Sequence, residues 1–296
     1  MKIKVNKLET HNGLTVIQFA TLNQNPFSFI TLVKALEEDY IRIYEINKQG
    51  FVSNFKIIND SNYFVLIMEN DLLKGLNNNR INNSCLLVAP HSKIILPLAC
   101  IEQGRSFNAP LHTVPISNIC TDEHFKIRYS ENINKIDFKK DFIKTKINLK
   151  NSVRDKNQKN IFTKSFRDFE NFIGNFVMDM NSNGMAVFFE ENIIQIKIFS
   201  CSTILQDQFF NIIMDEAFSA YLASSAKEIG GQILTNSLSD FLSQKGVITI
   251  NEKKCVGVGN QVWFRNNNLI GTELVYNSHL IYLSTFASKH HLYSNN

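Results

Sequence analysis

Apolar positions along this chain fall into two periods, strand-like and helix-like, which alternate along its length. Leu14 to Phe19, Tyr40 to Ile46, Phe55 to Ile58 and Tyr63 to Met68 are short apolar or alternating runs. Their length and composition predict strands. Thr31 to Glu38 sits between the first two as a short helix, with Thr31 placed to cap it and the acidic residues that follow on a wet surface. Asn59-Asp60-Ser61-Asn62 separates the third run from the fourth with turn-forming residues. Ser84 to Ala89 and Ile94 to Ile101 are continuous apolar runs joined by Pro90-His91-Ser92, the pattern of strands buried on both faces. Pro97 has no N–H to donate, so the second run is expected at an edge or a bulge.

From about Arg105 to Asn151 the periodicity fades. Beyond it the spacing of Phe162, Phe166, Phe169, Phe172, Ile173 and Phe176 predicts an amphipathic helix over Asn160 to Phe176. Met185 to Phe189 and Ile193 to Ser200 read as a hairpin across Glu190-Glu191-Asn192. Gln206 to Ala226 predicts a helix stopped by Gly230-Gly231, and Leu238 to Leu242 a further helical turn. Gly246 to Ile250, Gln261 to Arg265 and Leu269 to Tyr276 predict strands, the last two joined by an asparagine-rich turn at Arg265 to Asn268. His279 to Phe286 is expected as a short closing helix. The fold class is therefore α+β: a β-rich N-terminal half with buried strands and a mixed helix and strand C-terminal half. We divide it into a part over 1–130, a basic connecting segment over 131–150 and an α+β part over 151–296, all of which could belong to one domain.

Composition narrows the classes. With 44% hydrophobic residues and 24 Phe, 296 residues can build a substantial core. The net charge of +4 is small, and Lys and Arg are dispersed among acids, which argues against nucleic acid as a partner. The exception is the run Lys135 to Lys159, read as a solvated linker and helix face. No apolar run approaches the roughly 18 residues a membrane span needs. The five cysteines are odd in number and lack metal-type spacing. A cytoplasmic protein with free, mostly buried thiols is the expectation.

The chemistry concentrates in NDLLKGLNNNRINNSCLLVAPHSKIILPLACIEQGRS, residues 70–106. Asp71, Arg80, Glu102 and Arg105 lie around two apolar strands. Guanidinium groups bind phosphate oxygens in pairs and stay charged at any working pH, so Arg80 and Arg105 could hold a phosphorylated ligand. They could equally close an internal clamp, Arg105 with Glu102 and Arg80 with Asp71. Asp71 and Glu102 are the candidate general acid and base, or could hold a divalent cation against a phosphate. Asn77, Asn78 and Asn79 could donate to ribose or base edges, although asparagine runs also simply make turns. Cys100 reads as a small core residue. Gly257 and Gly259 in GVGN are rejected as a phosphate loop because no helix pattern follows. Trp263 and the Phe stripe read as core.

The same stretch resembles the signature of the ADP-ribosylglycohydrolase and rhodanese-phosphatase-superfamily-associated protein domain. Asp71, Gly75, Asn79 and Arg80 match its first motif; Cys100, Glu102, Gly104 and Arg105 match its second. Weaker likeness extends over most of the chain, including Gln158 with Phe162 and the stretch VWFRNNNLIGTEL. Leu72 stands where the family has a second acid, Asn70 for Gly, Asn78 for Gln, Gln103 for Arg and Ser106 for Trp, the profile of a divergent member. The resemblance implies a link to NAD-derived nucleotides. The expected function is binding of an ADP-ribose-like nucleotide by Arg80 and Arg105, with Asn78, Asn79 and Gly104 as further contacts. In a prokaryotic or phage setting such a protein would sense or sequester an immune signal nucleotide in phage defence. Two alternatives stand beside it: a hydrolase of an ADP-ribosyl or phosphoester bond using Glu102 and Asp71, and a non-catalytic protein–protein module. The only cofactor this layout suggests is a divalent cation.

Overall fold

The structure, a computed structural model, describes residues 1–21, 27–46, 54–68, 72–74, 79–81, 85–97, 99–100, 171–222, 230–244, 249–254, 256–265 and 269–287. Its largest element is an eight-stranded sheet. The strands that enter it are β1 (Ile3–His11), β2 (Leu14–Thr21), β12 (Gly184–Phe189), β13 (Asn192–Phe199), β14 (Thr249–Lys254), β15 (Asn260–Arg265), β16 (Leu269–Tyr276) and β17 (His279–Ala287). Their spatial order is β1-β2-β12-β13-β17-β16-β15-β14, every neighbour antiparallel. Strands from both sides of the 131–150 segment thus share one sheet, with β2 hydrogen-bonded to β12. The α+β, strand-rich class holds.

Local chemistry explains the connections. β1 turns into β2 at Asn12 (φ 49°) and Gly13 (φ 77°), a two-residue turn whose left-handed backbone matches the strand twist. Asn277 and Ser278 make the same kind of turn between β16 and β17, with φ of 48° and 64°.

Three small sheets accompany the large one. The first orders β3 (Phe29–Thr31), β6 (Phe64–Ile67) and β9 (Leu86–Val88). The second orders β10 (Ser92–Pro97), β5 (Asn54–Asn59) and β4 (Ile41–Ile46). The third orders β11 (Ala99–Cys100), β8 (Asn79–Ile81) and β7 (Leu72–Lys74). Pro97 closes an edge strand, a position that tolerates a residue without an N–H.

Helices cover the sheets. Helix α1 (Leu32–Glu37) starts at Thr31, whose Oγ1 accepts from Lys34 N at 3.3 Å. Helix α2 (Ser202–Leu222) buries Ile204, Leu205, Phe209, Ile212 and Ile213 at helical spacing. Helix α3 (Gly231–Gln244) buries Leu234, Leu238, Phe241 and Leu242 and turns Ile233, Asn236 and Asp240 outward. One face of the large sheet (Ile17, Phe19, Phe188, Ile196, Leu283) packs on α3. The opposite face (Leu14, Val16, Met185, Val187, Tyr282) packs on α2 together with Phe29, Leu66 and Leu87 of the first small sheet. That small sheet buries Ile30, Val65, Ile67 and Val88 on its other side, against α1 and the second small sheet.

Three expectations need correction. His279 to Phe286 is strand β17, not a helix: it lies inside the large sheet, buried on both faces, so its sequence lacks the alternation that marks a half-exposed strand. Gly231 begins α3, and Leu238 to Leu242, expected as a separate helical turn, belongs to that longer helix; residues 223–229, between α2 and Gly230, lie outside the described residues. The helix expected from Gln206 starts earlier, at Ser202. β9 and β10, adjacent in sequence, do not pair: β9 joins β6 and β10 joins β5. Strand β1 had no counterpart in the sequence reading. Of the helix expected over 160–176, residues 160–170 lie outside the described residues; 171–173 are helical and Phe176 is buried.

Candidate functional site

The two charged motifs meet in the third small sheet. β8 is its middle strand, and Arg80 pairs with Leu73 of β7 on one side and Cys100 of β11 on the other. Asn79 pairs with Lys74, and Ile81 with both Leu72 and Ala99. Motif residues 20 positions apart in sequence, Arg80 and Cys100, are thereby direct neighbours across an antiparallel ladder. Arg80 and Asn79 are placed by this pairing. Asp71, Asn78, Glu102, Gly104 and Arg105 lie outside the described residues, as does the basic run Lys135 to Lys159.

The chain between the motifs is anchored into the core. Leu86 and Val88 are 2% and 0% exposed. Val258 N donates to Leu87 O at 2.8 Å, tying β9 to the start of β15. Gly257 makes this approach feasible, because a Cβ there would sit 2.0 Å from Leu87 O. Gly259 follows at φ 92°, a conformation only glycine adopts without strain. GVGN is therefore a backbone clamp, and a strand follows it, in agreement with its rejection as a phosphate loop.

A second anchor is Asn59, fully buried at the end of β5. Its Nδ2 donates to Tyr63 O at 2.8 Å and Ala89 O at 2.9 Å, and its Oδ1 accepts from Ser61 N at 3.1 Å and Ser61 Oγ at 2.8 Å. One amide thus fixes the β5–β6 turn and the chain leaving β9. The sequence reading saw only the turn; the signal that could have pointed further is an asparagine heading Asp-Ser-Asn directly after an apolar strand. His91 closes the corner from outside, its Nε2 2.8 Å from Asn62 Oδ1.

The remaining candidates take structural places. Cys85 is buried, and Cys201 is half-buried with Sγ 3.2 Å from Thr203 Oγ1. Trp263 is half-buried on β15. Arg42 is held by exposed Asp60, Nε to Oδ2 at 2.9 Å, and that hydrogen bond raises its guanidinium further above the usual range. Among the described residues there is no group of three or more His, Cys, Asp and Glu that could hold a metal ion. No helix among them is long and apolar enough to cross a membrane.

The pairing sets Arg80 at the centre of the small sheet's middle strand, across from Cys100, the residue that opens the CIEQGR stretch. The model described as ARG and Rhodanese-Phosphatase-superfamily-associated Protein domain matches residues 2–108 and 143–286, which takes in both motifs. No curated protein and no solved structure matches the chain significantly. With most of its length matched, the chain belongs to the ARG and Rhodanese-Phosphatase-superfamily-associated Protein domain family.

Proposed function

We propose that the protein binds an ADP-ribose-like, NAD-derived nucleotide, with Arg80 and Arg105 gripping its pyrophosphate. The observation that carries this reading is the Arg80–Cys100 pairing, which makes the strand of one motif the neighbour of the strand leading into the other. Bidentate guanidinium–phosphate contacts supply both charge and geometry for such a ligand. Asn78, Asn79 and Gly104 border the same two strands in sequence. Asp71 and Glu102 would orient the arginines, the ribose hydroxyls or a divalent cation.

The family's name supports a connection to ADP-ribose chemistry by association alone. Binding is favoured over turnover because this divergent chain has Leu72 where the resemblance calls for a second acid. A binder without turnover suits sensing or sequestering a signal nucleotide in phage defence. Titration calorimetry with ADP-ribose and with cyclic ADP-ribose isomers tests the reading. Saturable heat that is lost in Arg80→Ala and in Arg105→Ala is expected; absence of heat with every one of these nucleotides ends it.

A further inference from the structure

The second small sheet has one face in the core and one in water. Ile43 and Ile94 both pair with Ile57, and all three pack toward α1 and the first small sheet. Side chains alternate along a strand, so the residues between them point outward. The ladder sets these out in two rows: Tyr44, Lys56 and Ile95 in one, Arg42, Ile58 and Lys93 in the other. Tyr44 is 46% exposed and Ile95 55%. Lys93 is exposed, and Lys56 is half-buried.

Basic residues dispersed along the sequence converge on this face. Lys56 lies diagonally across from Arg42 on one side and from Lys93 on the other, about 7–8 Å away in each case. Neither row contains an acid. Arg42 is engaged by Asp60 at the end of β5, whereas Lys56 and Lys93 make no ion pair among the described residues. The face therefore carries two uncompensated positive charges beside an open aromatic ring.

We propose that this face docks single-stranded nucleic acid. Lys56 and Lys93 meet backbone phosphates, the ring of Tyr44 stacks on a base, and Ile95 packs beside it. An open sheet that sets an aromatic ring among cations serves as such a platform, because bases stack on the ring while the cations follow the backbone. A duplex keeps its base faces stacked inside and offers Tyr44 none. An acidic peptide would satisfy the lysines but makes no demand on the ring.

Fluorescence anisotropy of the full chain with a short labelled oligothymidylate tests the assignment. Wild type is expected to bind, and Tyr44→Ala to bind about tenfold more weakly, the effect of one lost base stack. Tyr44→Phe keeps the ring and is expected to retain most of the affinity that Tyr44→Ala loses. Lys56→Ala combined with Lys93→Ala should reduce the slope of log affinity against log salt by about 1.4, two phosphate contacts at about 0.7 each. Lys2→Ala combined with Lys4→Ala removes the same charge from exposed lysines near the start of the chain and should leave that slope unchanged. Melting curves of the variants confirm that each is folded. No binding by wild type, full affinity in Tyr44→Ala, or an equal change of slope in the Lys2 and Lys4 control would each overturn the proposal. So would equal affinity for a duplex of the same length. Displacement by polyglutamate as effective as by unlabelled oligothymidylate would assign the face to acidic protein instead.

Discussion

Gly257 and Leu87 approach so closely that a Cβ on the glycine would lie 2.0 Å from the leucine's carbonyl oxygen. The obstacle is backbone, and the same carbonyl accepts from Val258 N at 2.8 Å, so it cannot rotate away without breaking that bond. Gly257→Ala is therefore expected to destabilise the fold by about 1–3 kcal/mol, the range for forcing atoms into a packed site. Gly230 is the control: nothing lies within 4 Å of its would-be Cβ. Gly230→Ser, which supplies a hydroxyl just before α3, should change stability by no more than a few tenths of a kcal/mol. Denaturant melts of both variants decide the matter, and equal midpoints would refute the clamp.

Asn59 separates two kinds of anchoring within one side chain. Asn59→Ala removes the bonds to the Tyr63 and Ala89 carbonyls and to Ser61 N and Oγ, leaving Ala89 O to Ser92 Oγ and the Ser61 hydroxyl to Tyr63, and should cost about 2–3 kcal/mol. Asn59→Asp keeps the acceptor used by Ser61 but loses both donations. It should be at least as damaging, because it sets a carboxylate against carbonyl oxygens. If Asn59→Asp melts with wild type, the donor half of the network contributes nothing.

Arg42 and Asp60 make a contrasting, wet contact, with side chains 55% and 50% exposed. The guanidinium is raised by the hydrogen bond to Asp60, so it stays charged until far into alkali. A raised group contributes its stability below its ordinary pKa and loses it only as pH climbs through the folded value. Between pH 6 and 9 the difference between wild type and Arg42→Ala should therefore be small and flat. A difference that grows over that interval would show that the pair is coupled to another titrating group.

Sequence pattern was most legible where burial was one-sided. The α1 cap at Thr31, the hairpin across Glu190 and Glu191, and the edge position of Pro97 follow from local chemistry that tertiary contacts did not override. β17 was missed because a strand interior to a sheet has no polar face to alternate with. β1 was missed although Asn12-Gly13 is a strong hairpin signal, because Lys4, Lys7 and a bulge between Val5 and Lys7 blur its period. Pairing was legible across tight turns only: β9 and β10 adjoin in sequence yet belong to different sheets. For the site, residue types were readable and their adjacency was not. Only the ladder shows Arg80 beside Cys100.

Leu238 and Ile233 test the orientation of α3. Leu238 is 0% exposed against the large sheet and Ile233 is 62% exposed on the same helix. Leu238→Ala should cost about 2–5 kcal/mol, through lost burial plus the cavity left behind. Ile233→Ala should lie within about 0.5 kcal/mol of wild type. Comparable losses in the two variants would mean that α3 meets another surface through Ile233.

Arg80 and Arg105 distinguish a ligand grip from an internal clamp, since the two roles predict opposite dependence on nucleotide. In a grip, Arg80→Ala and Arg105→Ala melt near wild type alone but lose the stabilisation that ligand confers. For wild type that gain is about 2.7 kcal/mol at a hundredfold excess over Kd. In a clamp, either substitution strands a carboxylate and costs about 3–5 kcal/mol whether or not ADP-ribose is present. Glu102→Gln adds the chemical arm. It keeps the side chain's size and removes its charge, so a hydrolase would lose turnover while retaining nucleotide affinity. A pure binder has no turnover to lose, and its affinity changes only if the carboxylate orients Arg105. Melts of the three variants with and without ADP-ribose, beside product analysis of the wild-type incubation, assign the pair of motifs to one role.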